Sequence, residues 1–232
     1  MNVQKKLMGI TLFAMVALTV AACGTNGQPQ PPASEITRQA GDISTPEQTS
    51  YASLFQTSVF LGDSITEGLS YHDVLKEENV LAGAGKTAEF ALKDKDVDEL
   101  VKRKPEHIFI QLGSDDILWP TDHPKEYSLS YYAQLIERIK ERLPEASITI
   151  LSVTPVTAKA EKAEPRYQNI GDYNKGLKEL ASKVKVGYID VSSIVADHPD
   201  MYDEDGIHFQ AKFYPILLDY VKDELARMES AK

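Results

Sequence analysis

Two short segments at opposite ends of one predicted domain carry side chains that together can perform nucleophilic catalysis. Ser64 lies in Gly-Asp-Ser-Ile-Thr, directly after an apolar stretch, and Asp205 and His208 stand three residues apart in Asp-Gly-Ile-His. A serine hydroxyl needs a general base to remove its proton, and the base needs a carboxylate to hold it in the working tautomer. These three residues therefore predict attack of a serine on an ester carbonyl through a covalent acyl intermediate.

The sequence between these segments predicts a fold that would bring them together. Short apolar runs rich in β-branched residues alternate with longer segments of helical periodicity, as in a parallel sheet whose strands are joined by helices. The predicted strands are residues 58–61, 79–82, 107–112, 147–153 and 186–191. The predicted helices are residues 96–102, 128–143, 171–184 and 211–228. We therefore expect an α/β fold, a three-layer α/β/α sandwich around a mostly parallel five-stranded sheet.

The segments that follow the first four predicted strands are rich in glycine and polar residues. In a parallel sheet the carboxyl ends of the strands meet at one edge, where doubly wound sheets bind their ligands. We therefore expect four loops to converge near the serine. They are Gly62-Asp63-Ser64, Gly83-Ala84-Gly85, Gly113-Ser114-Asp115-Asp116 and Thr154-Pro155.

Four sequence blocks occur in the order found in the SGNH hydrolase, or GDSL esterase, superfamily, and the chain resembles its members across the whole domain. The Gly-Asp-Ser block implies Ser64 as the nucleophile, and the Asp-Gly-Ile-His block implies Asp205 as the orienting acid and His208 as the base. The second block ends at Gly85, whose backbone N–H, with that of Ser64, would stabilise the oxyanion. The resemblance also implies a flavodoxin-like fold and activity on small acyl esters, carbohydrate-linked acetates or lipid esters.

The third block departs from the family pattern at Asp115, where the family usually has an asparagine that donates a hydrogen bond to the oxyanion. An ionised carboxylate can only accept, and loss of one such donor costs on the order of 3 kcal/mol in barrier. Three explanations are open: Asp115 is kept protonated by its apolar site and Asp116, another group replaces the amide, or the enzyme is slow or inactive. We expect a working but atypical oxyanion hole, stabilised mostly by the backbone N–H groups of Ser64 and Gly85.

The sequence leaves the acceptor of the acyl group open. Water releases the acyl-enzyme in an esterase, whereas a sugar hydroxyl that arrives first makes the same residues an O-acyltransferase. We expect hydrolysis of small, acetyl-type esters, with cell-envelope carbohydrate as the first candidate substrate. One alternative is O-acyl transfer by the same triad. The other is a non-catalytic lipoprotein that binds ligands in the cleft at the catalytic edge, which is suggested by Asp115 in place of the usual asparagine.

Residues 1–23 resemble the signal sequence of a bacterial lipoprotein. Two lysines precede an apolar stretch, and the segment ends in Val-Ala-Ala-Cys, which resembles a lipobox. Cys23 is the only cysteine, so it has no partner for an internal disulfide, and lipidation gives it a purpose. Residues 24–56 have the composition of a flexible tether, and residues 57–232 form the predicted hydrolase domain. We therefore expect export and anchoring to the outer face of the cytoplasmic membrane, in the cell envelope.

Charge and motif spacing exclude several other classes. The formal net charge is −10 and the basic residues cluster only at 102–104, so we expect no nucleic-acid binding. The segment 83–87 resembles a phosphate-binding loop, but that motif requires glycine where the chain has Val80. No two of the other four histidines, His72, His107, His123 and His198, are spaced as metal ligands usually are. We expect no metal, no cofactor, and a monomer whose partners are the ester substrate and, through its lipid anchor, the membrane.

Three aromatic residues near the predicted catalytic edge have two interpretations. Trp119 follows the third block, and Tyr167 and Tyr173 flank the loop after the fourth strand. Exposed rings at these positions would stack on a sugar, whereas buried rings would only pack the loops against the domain. The charged segment 158–166 predicts a solvated, mobile loop that could form one wall of the substrate groove.

Overall fold

The computed structural model describes residues 51–230, in which five strands form one sheet and all pair in parallel. The strand order is β2-β1-β3-β4-β5, the order of a flavodoxin-like sheet. The structure therefore confirms the predicted α/β fold, with every strand parallel. The strands are β1 (Ser58–Gly62), β2 (Val80–Ala82), β3 (His107–Gln111), β4 (Ser147–Leu151) and β5 (Gly187–Ile189).

Each predicted strand is present, but four of them are shorter than predicted. The clearest cases are β4, which ends two residues early at Leu151, and β5, which loses residues at both ends. Val153 and Val191 lie beyond these strands and are nevertheless buried. The apolar pattern on which the longer prediction rested therefore reports burial rather than strand pairing.

Four predicted helices and four shorter, unpredicted ones lie entirely within the described residues. The predicted helices are α3 (Asp96–Arg103), α4 (Pro124–Arg142), α6 (Ile170–Val184) and α8 (Phe213–Ser230). The unpredicted helices are α1 (Ser64–Tyr71), α2 (Ala88–Lys93), α5 (Ala158–Ala163) and α7 (Ser192–Asp197). A helix of six to eight residues makes about two turns, which is too short for apolar periodicity to reveal it.

Three of the short helices are marked by their cap residues instead. Asp63 accepts a hydrogen bond from the backbone N–H of Ile65 at 3.1 Å and so begins α1. Thr87 and Thr157 each accept one from the N–H three residues further on, at 3.3 Å, and begin α2 and α5. The prediction of a solvated, mobile loop at 158–166 is therefore wrong for the first part of that segment, which forms α5.

Alternate residues of the strands face opposite sides of the sheet, and each side has its own core. Leu61 and Ile110 pack against Leu135 of α4 and its neighbours on one side. On the other side Phe60 and Phe109 stack with their ring centroids 4.6 Å apart. Burial on both faces is expected of a parallel sheet, and it holds the carboxyl ends of the strands as a fixed platform for the loops that follow them.

The folded domain extends further toward the N-terminus than predicted. Tyr51 and Phe55, which fall in the predicted tether, are 6% and 3% exposed. The Tyr51 hydroxyl donates to an Asp219 carboxylate oxygen at 2.9 Å, which ties this segment to α8. The rest of that tether, residues 24–50, and the predicted signal with Cys23 lie outside the described residues. Among the described residues, no helix is both long enough and apolar enough to cross a membrane.

Candidate active site

Ser64 is the first residue of α1, directly after β1 and its N-cap residue Asp63. The strand and the helix come close together at Gly62, where the neighbouring atoms leave no room for a side chain. A Cβ at Gly62 would lie 2.0 Å from Thr66 Oγ1 and 2.5 Å from the carbonyl oxygen of Gln111. The close contact of β1, β3 and α1 therefore requires the glycine of the Gly-Asp-Ser motif and fixes where the serine stands.

Asp205 and His208 lie in a tight turn that is built around one carboxylate oxygen. Asp205 Oδ1 accepts hydrogen bonds from the backbone N–H groups of Ile207, at 2.8 Å, and His208, at 3.0 Å. Gly206, between Asp205 and Ile207, has φ of +73°, a conformation that glycine adopts without strain. Its carbonyl oxygen accepts from the Thr157 N–H at 2.9 Å, so the turn also rests on the N-terminus of α5.

The structure brings the three predicted catalytic side chains together. Ser64 Oγ lies 2.9 Å from His208 Nε2, and Asp205 Oδ2 lies 2.6 Å from His208 Nδ1. Burial alone raises the pKa of Asp205, but the hydrogen bonds from the His208 ring and from the two backbone N–H groups lower it below its ordinary value. An ionised Asp205 accepts a hydrogen bond from Nδ1–H, which leaves Nε2 unprotonated and able to take the proton of Ser64.

The side chains of His208, the predicted general base, and of its partner Asp205 are open to solvent. Their exposed fractions are 42% and 45%. Gly85 is exposed too, with φ of +75°, and its N–H donates to no backbone acceptor among the described residues. The described geometry thus leaves the N–H of Gly85 available for a ligand.

Asp115, the departure from the family pattern, lies close enough to His208, the predicted base, for the two to interact electrostatically. Burial raises the pKa of Asp115 above its ordinary value, and the neighbouring His208 lowers it. Its Oδ2 atom is buried, yet no hydrogen-bond partner faces it in residues 51–230. Because a buried, ionised carboxylate oxygen without a partner is costly, this environment favours the protonated, neutral acid.

Sequence analysis missed the role of Asp63, whose carboxylate is buried behind the nucleophile. Its Oδ2 atom accepts from the Ser114 hydroxyl at 2.6 Å, while Oδ1 caps α1. Burial raises the pKa of Asp63 to about 7, against the hydrogen bond from Ser114, and Asp115 adds to the rise whenever it is ionised. The sequence signal for this cap was an Asp just after a predicted strand, followed by an acidic Glu67 where the first turn of a helix would lie.

Asp116 joins the same loops to the helices behind them. Its Oδ1 atom accepts from the Ala88 N–H at 3.1 Å and from the Ser128 hydroxyl at 2.5 Å, and Ser128 in turn shares a hydrogen bond with the Tyr173 hydroxyl. Burial raises the pKa of Asp116 to about 6, and these hydrogen bonds lower it. Asp116 therefore holds the N-terminus of α2 and one side of α4 against the loop that carries it.

The three aromatic residues singled out in the sequence do not share one environment. Tyr173 and Tyr167 are 1% and 8% exposed, so their rings pack the loops and are not free to stack on a sugar. Trp119 is partly exposed and is therefore the remaining candidate. Within residues 51–230 the His, Cys, Asp and Glu side chains form no group of three or more that could hold a metal ion.

Comparison with known proteins identifies the family. A model of the GDSL-like lipase/acylhydrolase family matches residues 60–216. The chain belongs to this family. The matched range includes Ser64, Asp205 and His208, and a GDSL-like family is the one that the sequence blocks had indicated.

Solved structures of the family share the fold at low sequence identity. A GDSL-like lipase from Bacteroides thetaiotaomicron is 17% identical with a TM-score of 0.59, over 78% of this chain and 98% of the other. An acetylxylan esterase from Geobacillus stearothermophilus is 18% identical with a TM-score of 0.54, over 72% of this chain and 92% of the other. These likenesses support the fold.

One curated protein shows higher identity over a shorter range. The N-acylneuraminate cytidylyltransferase of Escherichia coli is 30% identical over 123 residues, which is 51% of this chain. The chain spans only 28% of that protein's length. The match therefore relates this domain to one part of a larger protein.

Proposed function

We propose that this GDSL-family protein is a serine esterase that removes small acyl groups, acetyl above all, from carbohydrate of the cell envelope. The observation that carries the proposal is the hydrogen-bonded series Ser64, His208 and Asp205, with 2.9 Å and 2.6 Å between the donor and acceptor atoms. A serine in such a series is activated for attack, and a purely structural serine has no need of it.

Catalysis proceeds through an acyl-enzyme. His208 Nε2 takes the proton of Ser64 Oγ as that oxygen attacks the ester carbonyl, and Asp205 stabilises the imidazolium that forms. His208 then gives this proton to the leaving alcohol as the acyl-oxygen bond breaks. A water molecule, deprotonated by the same nitrogen, attacks the acyl-enzyme, and return of the proton to Ser64 releases the carboxylic acid.

The oxyanion is stabilised by the backbone N–H groups of Ser64 and Gly85 and by Asp115. An N–H at the start of α1 also has the helix dipole behind it, which favours negative charge. Asp115 contributes when it carries a proton, because only then can its carboxyl group donate a hydrogen bond. The buried, unpartnered oxygen of Asp115 supports this protonated state.

Carbohydrate esters fit the openness of the site. The half-exposed His208 suits an acyl group that projects from a bulky polymer rather than a small molecule enclosed in a pocket. Two of the similar proteins are named after acylated sugars, an acetylxylan esterase and an N-acylneuraminate cytidylyltransferase. The lipobox-like end at Cys23 supports a lipoprotein on the outer face of the cytoplasmic membrane, near such polymers.

A non-catalytic binding protein is the second candidate, and Asp115 is the observation that favours it. An ionised carboxylate beside the reacting carbonyl would repel the oxyanion and stop the reaction. Reaction of the purified protein with a fluorophosphonate probe separates the two candidates. We expect labelling of Ser64 in the wild type and none in Ser64→Ala, together with hydrolysis of 4-nitrophenyl acetate. A wild type that neither labels nor hydrolyses more than Ser64→Ala is the binding protein.

A further inference from the structure

The surface beside the oxyanion loops carries a corner of two aromatic rings, Phe90 and Trp119. Their ring centroids are 5.4 Å apart and their planes are nearly perpendicular, at 88°. Phe90 is 36% exposed, and it is one of three large apolar residues exposed in the described domain. The indole N–H of Trp119 has no hydrogen-bond partner among the described residues and is not buried, so it is available to a ligand.

This aromatic corner, defined by Phe90 and Trp119, is held from behind. The ring of Tyr127 lies nearly parallel to that of Trp119, with the centroids 6.4 Å apart and 13° between the planes. The Tyr127 hydroxyl donates to Glu89 Oε2 at 2.8 Å, which fixes the ring. The corner is therefore set in place before any ligand arrives, and little ordering entropy is lost on binding.

The aromatic corner is continuous with the catalytic loops. Trp119 ends the short 3₁₀ turn Asp116–Leu118 that begins just after Asp115, so its Cα lies roughly 8 Å from that of Asp115 at about 2 Å per residue. Phe90 lies in the first turn of α2, whose N-terminal Ala88 N–H is bound by Asp116. A sugar unit next to the one that carries the acyl group spans such a distance.

Charge around the aromatic corner favours a neutral sugar. Two cations in the adjoining segments are each paired with a carboxylate, Lys93 of α2 with Glu89 and Arg166 with Glu164. Arg166 also donates to the Leu118 carbonyl oxygen at 2.6 Å. Both positive charges are thus neutralised by carboxylates. The groups that remain for a ligand are the apolar ring faces, which suit the C–H face of a pyranose, and one N–H donor, which suits its hydroxyls.

We propose that Trp119 and Phe90 form a subsite that stacks a neutral pyranose unit of the acylated carbohydrate chain next to the unit whose ester is cleaved. The proposal rests on the proposed esterase function for its substrate class. It assigns the two rings to chain recognition, outside the chemistry at Ser64, so it separates the enzyme's action on polymeric esters from its action on small ones.

Trp119 is the only tryptophan in the chain, so intrinsic fluorescence reports on this subsite directly. The probes are acetylated xylopentaose and acetylated cellopentaose, added to the Ser64→Ala protein, which binds without turnover. We expect a saturable change in emission with at least one of them. An emission unchanged by both up to about ten times a KM of ~1 mM overturns the proposal.

Kinetics give the second arm of the test. Trp119→Ala is expected to raise KM for the acetylated pentasaccharides about tenfold, a loss of roughly 1.4 kcal/mol in binding, and Phe90→Ala less. The kcat/KM for 4-nitrophenyl acetate should stay within about twofold, because that ester reaches only the acyl site. Equal losses on both kinds of substrate would also overturn the subsite, since they indicate damage to the triad.

Tyr71→Ala is the matched control. This tyrosine is 79% exposed but lies at the end of α1 opposite Ser64, so its loss should change neither kinetics nor emission. If the wild type hydrolyses neither class of ester, the proposed esterase function fails, while the fluorescence titration still decides whether the aromatic corner binds sugar.

Discussion

Ser114 and Asp63 join the loop of Asp115, the predicted oxyanion-hole residue, to the loop of Ser64, the predicted nucleophile. The Ser114 hydroxyl donates to Asp63 Oδ2 at 2.6 Å, and the other oxygen of Asp63 caps the helix that begins with Ser64. This carboxylate is 2% exposed and has no cation as a partner in the described structure. Its charge state therefore affects both the stability of the domain and the position of the nucleophile.

Asp63→Asn is expected to gain stability relative to the wild type as the pH rises. Burial raises the pKa of Asp63 to about 7, so the folded state prefers the protonated form. The stability that this preference gives is fully present below the ordinary pKa of 3.8 and is lost as the pH rises toward about 7. Asparagine does not titrate and escapes this loss.

The measurement is the free energy of unfolding in urea for both proteins at about pH 5 and about pH 8. The exposed Asp94 serves as the control, since Asp94→Asn should show no such divergence between the two conditions. A difference between Asp63→Asn and wild type that is the same at both pH values would rule out a buried, titrating Asp63.

Ser64→Ala is expected to reduce the hydrolysis of 4-nitrophenyl acetate by about a thousandfold or more, because the acyl-enzyme cannot form. Ser70→Ala is the matched control on the same helix. Its hydroxyl donates to the Glu67 carbonyl oxygen and takes no part in the relay, so activity should be retained. Equal activity in Ser64→Ala and wild type would contradict the proposed mechanism.

Asp115→Asn is expected to change the pH profile of kcat rather than to abolish activity. The wild-type carboxyl donates only while protonated; burial raises its pKa, but the donor is lost as the pH rises through that raised value. The amide of asparagine donates at every pH. The ratio of variant to wild-type kcat should therefore increase with pH, reaching about tenfold or more where Asp115 is ionised.

The acid side of the profile provides the internal control for Asp115→Asn. Both proteins use the same general base, so their profiles should fall together on the acid side. A ratio that is constant across the whole pH range would show that Asp115 does not act through a titrating donor. A variant that is inactive throughout would show that the carboxyl itself is required.

Gly206→Ala is expected to lower kcat between about ten- and a hundredfold by displacing the base. A Cβ at this position would lie 2.0 Å from Thr157 Oγ1, on a residue whose φ of +73° already disfavours a side chain. The turn that presents His208 must therefore shift. Gly171→Ala is the control, because a Cβ there meets nothing within 4 Å and the position is helical. Kinetics and thermal unfolding of both variants distinguish displacement from global loss of structure; an unchanged kcat in Gly206→Ala would show that the turn tolerates the side chain.

Phe55→Ala is expected to cost about 3–5 kcal/mol in the free energy of unfolding, as for other buried phenylalanines. The ring makes edge contacts with Phe60 at 5.4 Å and Phe109 at 6.0 Å, beneath the sheet. Leu54, its neighbour, is 48% exposed, and Leu54→Ala should cost less than about 0.5 kcal/mol. Equal, small costs for the two would return the domain boundary to residue 57, as the sequence predicted.

The hydrogen-bonded series of Ser64, His208 and Asp205 was predictable because each motif is a short, local sequence pattern. Ser64 follows a strand and begins a block, and the spacing of Asp205 and His208 suits a turn that closes on itself. The alternation of strands and long helices predicted the sheet for the same reason, since apolar periodicity is a local pattern. The contact between the two motifs was an inference from topology, which the strand order supports.

Other features depend on packing between distant segments and left no local pattern. Tyr173 is buried because it lies against Gly113, where an added Cβ would approach its ring to 2.5 Å. Phe90 was overlooked because it lies in α2, a helix too short to be predicted. Whether an aromatic residue in a loop faces solvent or core is decided by such neighbours, so Trp119 could be separated from Tyr167 only in the structure.

The hydrogen bond between Ser64 and His208 joins residues 144 positions apart, and the histidine is followed by α8, whose Phe213 packs in the same core as Phe60 of β1. Such long-range contacts form slowly and late because the intervening chain must close first. Recovery of esterase activity after dilution from urea should therefore lag behind recovery of helical circular dichroism. Activity would thus report the final step of folding, because the Ser64–His208 hydrogen bond is absent until the chain has been made through His208.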